Sequence, residues 1–190
     1  MDCDGLSHRI ERIESQLAIQ ELPPRYAVAV DSRNLDALVN LFVPEVDCGH
    51  WGKGREALKA FFDPTLRGFY RSQHQICGHV VDFDPVNPDR ATGTTYCRAE
   101  HEDGDQWVTM AICYFDEYAR HDGQWYFKRR DERHWYSSDV LARPGQPQFQ
   151  NWDKYATARY QPRLPNSFPS WAEYWSRSTP EELAALTKKP

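Results

Sequence analysis

Apolar residues in the first part of the chain recur at helical spacing. The first set lies at intervals of four, three and four residues, at Leu6, Ile10, Ile13 and Leu17. This spacing predicts an amphipathic helix over residues 7–20. Pro23 and Pro24 are expected to break or restart it, because proline suits a first helical turn and not a helix interior. A second helix is then expected to end near Asp31.

Two shorter helices are predicted before the pattern changes. Asn34 can cap a helix over residues 35–42, which Pro44 stops. The helical spacing returns over residues 55–62, and Asp63-Pro64 is expected to close that element. The first third of the chain is therefore predicted to be helical.

The middle of the chain is predicted to be extended. Four long segments rich in β-branched and aromatic residues follow, at 73–84, 90–102, 106–121 and 124–136. The dipeptides Asp103-Gly104 and Asp122-Gly123 suit tight hairpin turns, because they accept positive φ. We therefore expect an antiparallel meander. Residues 109–118 are apolar on both faces, so that strand is expected to be covered on both sides, by the helical layer on one face and, as one option, by a partner subunit on the other.

Prolines alternate with aromatic residues after Val140. A plain linker would lack the aromatics, so residues 140–190 are interpreted as an irregular arm that packs on the domain or on a neighbouring subunit. A short helix is expected over residues 181–186. Residues 1–139 then form one domain of the α+β class, with the helices preceding the sheet.

Composition excludes several classes of protein. The net charge of −5 and the pI near 5.8 disfavour a nucleic-acid surface. The longest apolar run, over residues 110–115, is too short to cross a membrane. The five cysteines are odd in number and widely scattered, which indicates reduced, buried thiols rather than disulfides. We expect a cytoplasmic protein.

Three polar residues stand where the pattern predicts burial. Asp31 follows an apolar run that begins at Tyr26, and His74 opens the first strand. A carboxylate that binds one imidazole nitrogen fixes the tautomer and makes the other nitrogen a better base. Tyr26 could donate a hydrogen bond to a leaving hydroxyl or to a developing enolate. The three side chains together suit proton abstraction next to a carbonyl or a leaving group.

The chain resembles the SnoaL-like branch of the nuclear transport factor 2-like superfamily. The resemblance is carried by residues 25–38, 54–62 and 116–127, and covers roughly residues 8–138. It implies a cone-shaped fold, in which helices pack a strongly curved mixed sheet around a deep cavity.

Within that superfamily the chain is most similar to scytalone dehydratase, bile acid 7α-dehydratase and hexachlorocyclohexane dehydrochlorinase. Asp31 and His74 match the aspartate–histidine pair of these families, and Tyr26 matches a tyrosine of the bile acid dehydratase pattern. His101 falls where scytalone dehydratase has a second histidine. Arg130 matches an arginine of the dehydrochlorinase. The scytalone dehydratase pattern has a tyrosine directly before the aspartate, where this chain has Val30, so that particular reaction is in doubt.

The resemblance implies a cofactor-independent lyase, with no metal, that acts on a small cyclic hydrophobic molecule. Asp31, His74 and Tyr26 would be catalytic; His101, Arg130 and His50 would contact the substrate. Isomerisation or ring closure could use the same base. A homo-oligomer, dimer or trimer, is expected. The alternative from another class is a non-catalytic small subunit of a ring-hydroxylating dioxygenase, which would not require the pair.

Structural roles compete with each of these assignments. Asp31 could simply end a helix, His74 and His101 could be solvated, and the Tyr26 ring could belong to the core. Arg130 could be an ion-pair partner of Asp131 or Glu132.

A zinc site is a further alternative to the acid–base site. The sequences Cys48-Gly-His50 and Cys77-Gly-His79 each place a thiol and an imidazole on one face of a strand. If the two segments were adjacent, four zinc ligands could converge. Zinc sites usually show tighter loop spacings, which weighs against this reading.

Overall fold

The computed structural model describes residues 3–141 and, beyond them, residues 163, 167, 169, 172–173, 176 and 178–181. Helices precede a sheet, as predicted. The elements are α1 (Cys3–Asp31), α2 (Leu35–Val39), a single 3-10 turn (Gly49–Trp51), α3 (Arg55–Leu66), β1 (Arg71–Phe83), β2 (Arg90–Asp103), β3 (Gln106–His121) and β4 (Gln124–Asp139). The fold is α+β: helices are followed by a curved, unclosed antiparallel sheet, consistent with the predicted cone.

Helix α1 is continuous, so the predicted break at Pro23 and Pro24 is wrong. Both prolines lie inside the 29-residue helix. Around and after them the helix is held by its buried face, which includes Leu22, Tyr26 and Val30. Tertiary packing of one face supplies most of the stability of a protein helix, and here it outweighs the loss of two backbone donors.

The apolar stripe in the first half of α1 is exposed. Its four residues are between 47% and 60% exposed, namely Leu6, Ile10, Ile13 and Leu17. The spacing therefore identified the helix correctly, but within this chain the stripe does not pack on the core.

The two short helices end at other residues than those predicted. Asn34 caps α2 as expected, since its Oδ1 accepts a hydrogen bond from the backbone N–H of Ala37 at 3.0 Å. Helix α2 ends at Val39 rather than at residue 42. Helix α3 runs past Pro64 to Leu66.

The four strands form an antiparallel meander in the order β1-β2-β3-β4. Gly104 (φ 61°) and Gly123 (φ 77°) occupy the positive-φ positions of the two predicted hairpins. The sheet predicted as mixed is antiparallel; the parallel pairing found among the described residues is an isolated bridge between Phe42 and Phe127. Strand β4 runs to Asp139, beyond its predicted end at residue 136.

Strand β3 is buried on both faces, as predicted. Met110, Ile112 and Tyr114 lie in the core, and Thr109 and Cys113 on the opposite face are buried as well. Both faces are thus covered within the single chain.

Parts of the other predictions lie outside the described residues. Most of residues 140–190 do so, including all of the predicted helix at 181–186 except residue 181. Four described cysteines are free, and Cys77 is exposed, contrary to the expectation of uniformly buried thiols. Among the described residues, no helix is long and apolar enough to span a membrane.

Candidate active site

A cavity of about 430 Å³ lies between the helices and the concave face of the sheet. A pocket of this size, whose walls combine apolar side chains with polar and charged ones, can hold a small molecule. Its apolar lining includes Val30, Phe42, Leu58, Phe61, Phe62, Phe69, Met110 and Ile112. Five of the six predicted site residues also line it, namely Tyr26, His50, His74, His101 and Arg130.

Asp31 and His74 are in direct contact. His74 Nδ1 lies 2.7 Å from Asp31 Oδ1, and the backbone N–H of His74 donates to Asp31 Oδ2 at 2.8 Å. The Ser72 hydroxyl also donates to Asp31 Oδ1 at 2.8 Å. Burial alone would raise the pKa of Asp31, but these hydrogen bonds and the charge of His74 lower it below its ordinary value. Asp31 is therefore an ionised acceptor.

The end of α1 sets the position of Asp31. Arg33 adopts a left-handed conformation (φ 59°), which stops the helix within two residues of the carboxylate. The Arg33 guanidinium then donates to the Val30 carbonyl at 2.8 Å and to the Ser72 hydroxyl at 3.0 Å. It also reaches the carbonyl of Phe69 at 3.3 Å. One side chain thus ties the end of α1 to the start of β1.

His74 presents its other nitrogen to the cavity. Its side chain is 8% exposed, and Asp31, which binds Nδ1, lies behind it. An ionised Asp31 can only accept, so Nδ1 carries the proton and Nε2 is the free lone pair. This geometry is the one that a positioned general base requires.

The Tyr26 ring forms one wall of the cavity. It makes edge-on contacts with Phe42, Phe62, Tyr114 and Phe127, with centroids 6.0–6.5 Å apart. Burial raises the pKa of its hydroxyl, while the charge of Arg130 opposes that rise. Tyr26 is therefore a protonated phenol at neutral pH and can act only as a hydrogen-bond donor or acceptor.

Arg130 is held by Asp116, and not by either of the neighbours predicted from the sequence. Arg130 Nε and Nη2 each donate to one oxygen of Asp116 at 2.8 Å, and the side chains are 4% and 0% exposed. Asp131 pairs instead with Arg133, and Glu132 with His134. Register explains the error, because Arg130 faces Asp116 across β3 and β4.

The Arg130 guanidinium also packs on three aromatic rings. Its central carbon lies 4.5, 4.1 and 4.3 Å from the ring centroids of Tyr26, Tyr114 and Phe127. Its Nη1 is buried and has no hydrogen-bond partner among the described residues. Burial opposes the charge, but Asp116 raises the pKa of Arg130 above its ordinary value, so the cation persists.

The two remaining histidines occupy different depths. His101 is buried, and its ring centroid lies 5.6 Å from that of His74 and 4.6 Å from that of Phe69. Burial and the nearby His74 lower the pKa of His101 to about 3, so it is neutral at pH 7. His50 is exposed and borders the cavity beside Trp51, with centroids 5.4 Å apart.

Sequence reasoning missed Glu132 as a cavity residue. Glu132 lines the cavity, and His134 Nε2 lies 2.6 Å from its Oε1. The signal was present, since Glu132 and His134 are two residues apart on one strand and therefore share a face.

The zinc alternative is not supported. In the part of the chain that the structure describes, no group of three or more His, Cys, Asp and Glu side chains could hold a metal ion. Cys48 contacts the carbonyls of Val46 and Gly54, and Cys77 lies exposed on β1.

Comparison with known proteins assigns the chain to a family. The model of the SnoaL-like domain matches residues 11–131. Gamma-hexachlorocyclohexane dehydrochlorinase from Sphingobium indicum is 26% identical over 127 residues, which is 64% of this chain and 81% of that protein.

Two solved structures share the fold. A protein from Novosphingobium aromaticivorans, provisionally named scytalone dehydratase, has 25% identity and a TM-score of 0.59; the match covers 71% of this chain and 93% of that one. A type 2 hexachlorocyclohexane dehydrochlorinase has 25% identity and a TM-score of 0.60, over 72% and 99% of the two chains. These relatives carry names of lyase-type enzymes. With more than half of its length matched by the family model, the chain belongs to the SnoaL-like family.

Proposed function

We propose that the protein is a cofactor-independent lyase that removes water, or a similar small group, from a small cyclic apolar substrate. The observation that carries this proposal is the contact between Asp31 and His74, with the imidazole facing a cavity whose walls include many aromatic and aliphatic side chains. The names of the relatives, a dehydratase and dehydrochlorinases, support the reaction class.

His74 would be the base. Asp31 holds the Nδ1–H tautomer and stabilises the imidazolium that forms when Nε2 takes a proton. A base positioned in this way contributes about 10² to 10⁴ in rate. Neutral His101, whose ring lies edge-on to His74, adds no competing charge at neutral pH.

The elimination balances with the side chains at hand. His74 Nε2 takes a proton from the carbon adjacent to the one that bears the hydroxyl, and the C–H electron pair becomes the second bond of the alkene. The C–O bond breaks with its electrons on oxygen, to which Tyr26 donates a hydrogen bond. The oxygen leaves as water after taking up the proton that the imidazolium carries.

The non-catalytic alternative remains distinct from this proposal. A small subunit of a ring-hydroxylating dioxygenase would not require the Asp31–His74 contact or its orientation into a cavity. Isomerisation or ring closure would use the same base and would differ only in the fate of the carbanion.

The proposal is tested with a panel of cyclic β-hydroxy ketones, in which the carbonyl acidifies the adjacent C–H. Mass spectrometry would follow loss of water, and incubation in deuterated water would follow proton abstraction. We expect Asp31→Asn to lower kcat/KM by about 10² to 10⁴. Asp36→Asn, an exposed carboxylate on α2 that pairs with Lys59, is the matched control and should leave turnover unchanged.

Equal turnover by Asp31→Asn and the wild type would contradict the proposed base. Deuterium uptake without loss of water would instead indicate an isomerase. Neither deuterium uptake nor product on the whole panel, together with stable assembly on an iron-bearing partner, would favour the non-catalytic subunit.

We also propose that residues 140–190 form an arm that borders the cavity. Arg163, a described member of this segment, donates from its backbone N–H to the His134 carbonyl at 3.2 Å and lines the cavity. Truncation after Leu141 should weaken ligand binding, measured by titration calorimetry. Unchanged binding by the truncated chain would contradict this role.

A further inference from the structure

Strand β4 carries a second carboxylate–imidazole pair that the proposed base does not use. His134 Nε2 lies 2.6 Å from Glu132 Oε1. The His134 side chain is 1% exposed, whereas that of Glu132 is 31% exposed and lines the cavity. The carboxylate of Glu132 therefore faces the cavity. The buried imidazole of His134 lies next to it along the strand and binds it.

Glu132 is an anion in this setting. Burial by itself would raise its pKa, but the hydrogen bond from His134 and the charge of His134 lower the pKa below its ordinary value. An ionised carboxylate has about four acceptor sites, and His134 occupies one. Within the described residues, no other side chain hydrogen-bonds Glu132.

The neighbouring cation does not neutralise Glu132 by direct contact. Arg130, on the same strand, gives two of its donors to Asp116. A charge at an apolar cavity is costly unless hydrogen-bond donors solvate it. When a ligand displaces water from the cavity, the ligand must supply such a donor, or Glu132 loses its solvation.

We propose that Glu132 determines substrate specificity by accepting a hydrogen bond from a hydroxyl group on the substrate ring and by rejecting ligands that carry a carboxylate. The three arginines that line the cavity already have carboxylate partners, Asp116 for Arg130, Glu117 for Arg129 and Asp131 for Arg163, so they offset little of the repulsion between Glu132 and a ligand carboxylate. A hydroxyl supplies the missing donor without adding a charge to the cavity. The inference rests on the proposed function for its choice of cyclic substrates, and it extends that function by naming the polar group they carry.

Three bicyclic probes with one ring skeleton test the inference: the alcohol tetralol, the hydrocarbon tetralin and tetralin carboxylate. Their affinities for the full chain would be measured by calorimetry or ligand-observed NMR at pH 7. The wild type should bind the alcohol most tightly and the carboxylate least tightly. A like charge at close range disfavours the carboxylate by about tenfold or more.

Glu132→Gln should change this ranking in a defined way. The advantage of the alcohol over the hydrocarbon should shrink about fivefold, since a hydrogen bond to a charged acceptor is stronger than one to a neutral acceptor. The carboxylate should bind about tenfold more tightly. Glu21→Gln, an exposed carboxylate on α1 that pairs with Arg25 and does not line the cavity, is the matched control and should keep the wild-type ranking.

Two outcomes would overturn the inference. Wild-type protein that binds the carboxylate as tightly as the alcohol excludes a rejecting role for Glu132, and this measurement needs no variant to fold. Glu132→Gln with all three affinities within twofold of the wild type excludes any role in selection. The affinities are measured without turnover, so a failure of the lyase proposal leaves this test intact.

Discussion

Two carboxylate–imidazole pairs stand at opposite edges of the same sheet, and they are mounted in reverse. On β1, His74 faces the cavity and Asp31 lies behind it, with 2.7 Å between Nδ1 and Oδ1. On β4, Glu132 faces the cavity and the buried His134 lies beside it, with 2.6 Å between Nε2 and Oε1. The same two kinds of group are thus proposed to act as a base on one wall and as an acceptor on the other, and the difference lies in which of them faces the cavity.

The largest expected effect distinguishes His74 from Glu132, the two groups that face the cavity. His74→Gln should lower kcat by about 10² to 10⁴ while tetralol affinity stays within about threefold, because the base acts in the transition state. Glu132→Gln should act mainly through KM. Steady-state kinetics and calorimetry on the same preparations check both. A fall in kcat of equal size in the two variants would show that His74 and Glu132 do not differ in role.

The buried ion pair between Asp116 and Arg130 provides the next contrast. Asp116→Asn should lower the free energy of unfolding by about 3 to 5 kcal/mol, because it leaves the Arg130 charge buried and uncompensated. Urea denaturation measures this, with the neighbouring exposed Glu117→Gln as the control. A loss below about 1 kcal/mol would mean that water reaches Arg130 and that the cavity is wetter than its lining indicates.

The histidine on β2, which lies between the two pairs in strand order, should respond to pH. His101 has a pKa of about 3 in the folded protein, so the unfolded chain binds the extra proton below about pH 6.5 and stability falls as pH falls. His101→Gln should remove up to about 1.4 kcal/mol per pH unit from that slope. Denaturation at pH 7, 6 and 5 measures the slope. The exposed His121→Gln should retain it, and an unchanged slope in His101→Gln would indicate a solvated imidazole.

The smallest effect concerns the imidazole behind Glu132. His134→Leu removes the donor that lowers the pKa of Glu132, so that pKa should rise and the loss of tetralol affinity on acidification should begin at higher pH. His74, His101 and Tyr26 also lie within electrostatic range of Glu132 and remain in the variant.

At neutral pH the affinity of His134→Leu should fall about threefold. His134→Gln restores an N–H donor and should rescue both affinity and pH profile. Failure of that rescue would point to a packing role for the His134 ring.

Local patterns predicted most of the fold. The strands and hairpins follow from alternation and from Asp-Gly turns, which are local signals. Pro23 and Pro24 misled the helix prediction, because the packing that keeps α1 continuous involves residues distant in sequence. The stripe that begins at Leu6 predicted a helix correctly but not its exposure, since periodicity indicates a helix and not what covers it.

The site was predictable only in part for the same reason. Asp31 and His74 were paired because both stand where the pattern predicts burial, and the resemblance supported that pairing; their contact follows from the way α1 ends against β1. The partner of Arg130 depends on the β3–β4 register, which no local pattern specifies. Glu132 went unrecognised because its chemistry comes from facing a cavity, and only the curved sheet decides which strand positions do so.

The hydrogen bond at Nδ1 of His74 gives the molecule an internal reporter. A proton locked between two heavy atoms 2.7 Å apart and largely shielded from solvent is expected to exchange slowly and to resonate far downfield. Its shift should respond whenever a molecule fills the chamber beside the ring. Occupancy could then be monitored by proton NMR before any reaction has been found.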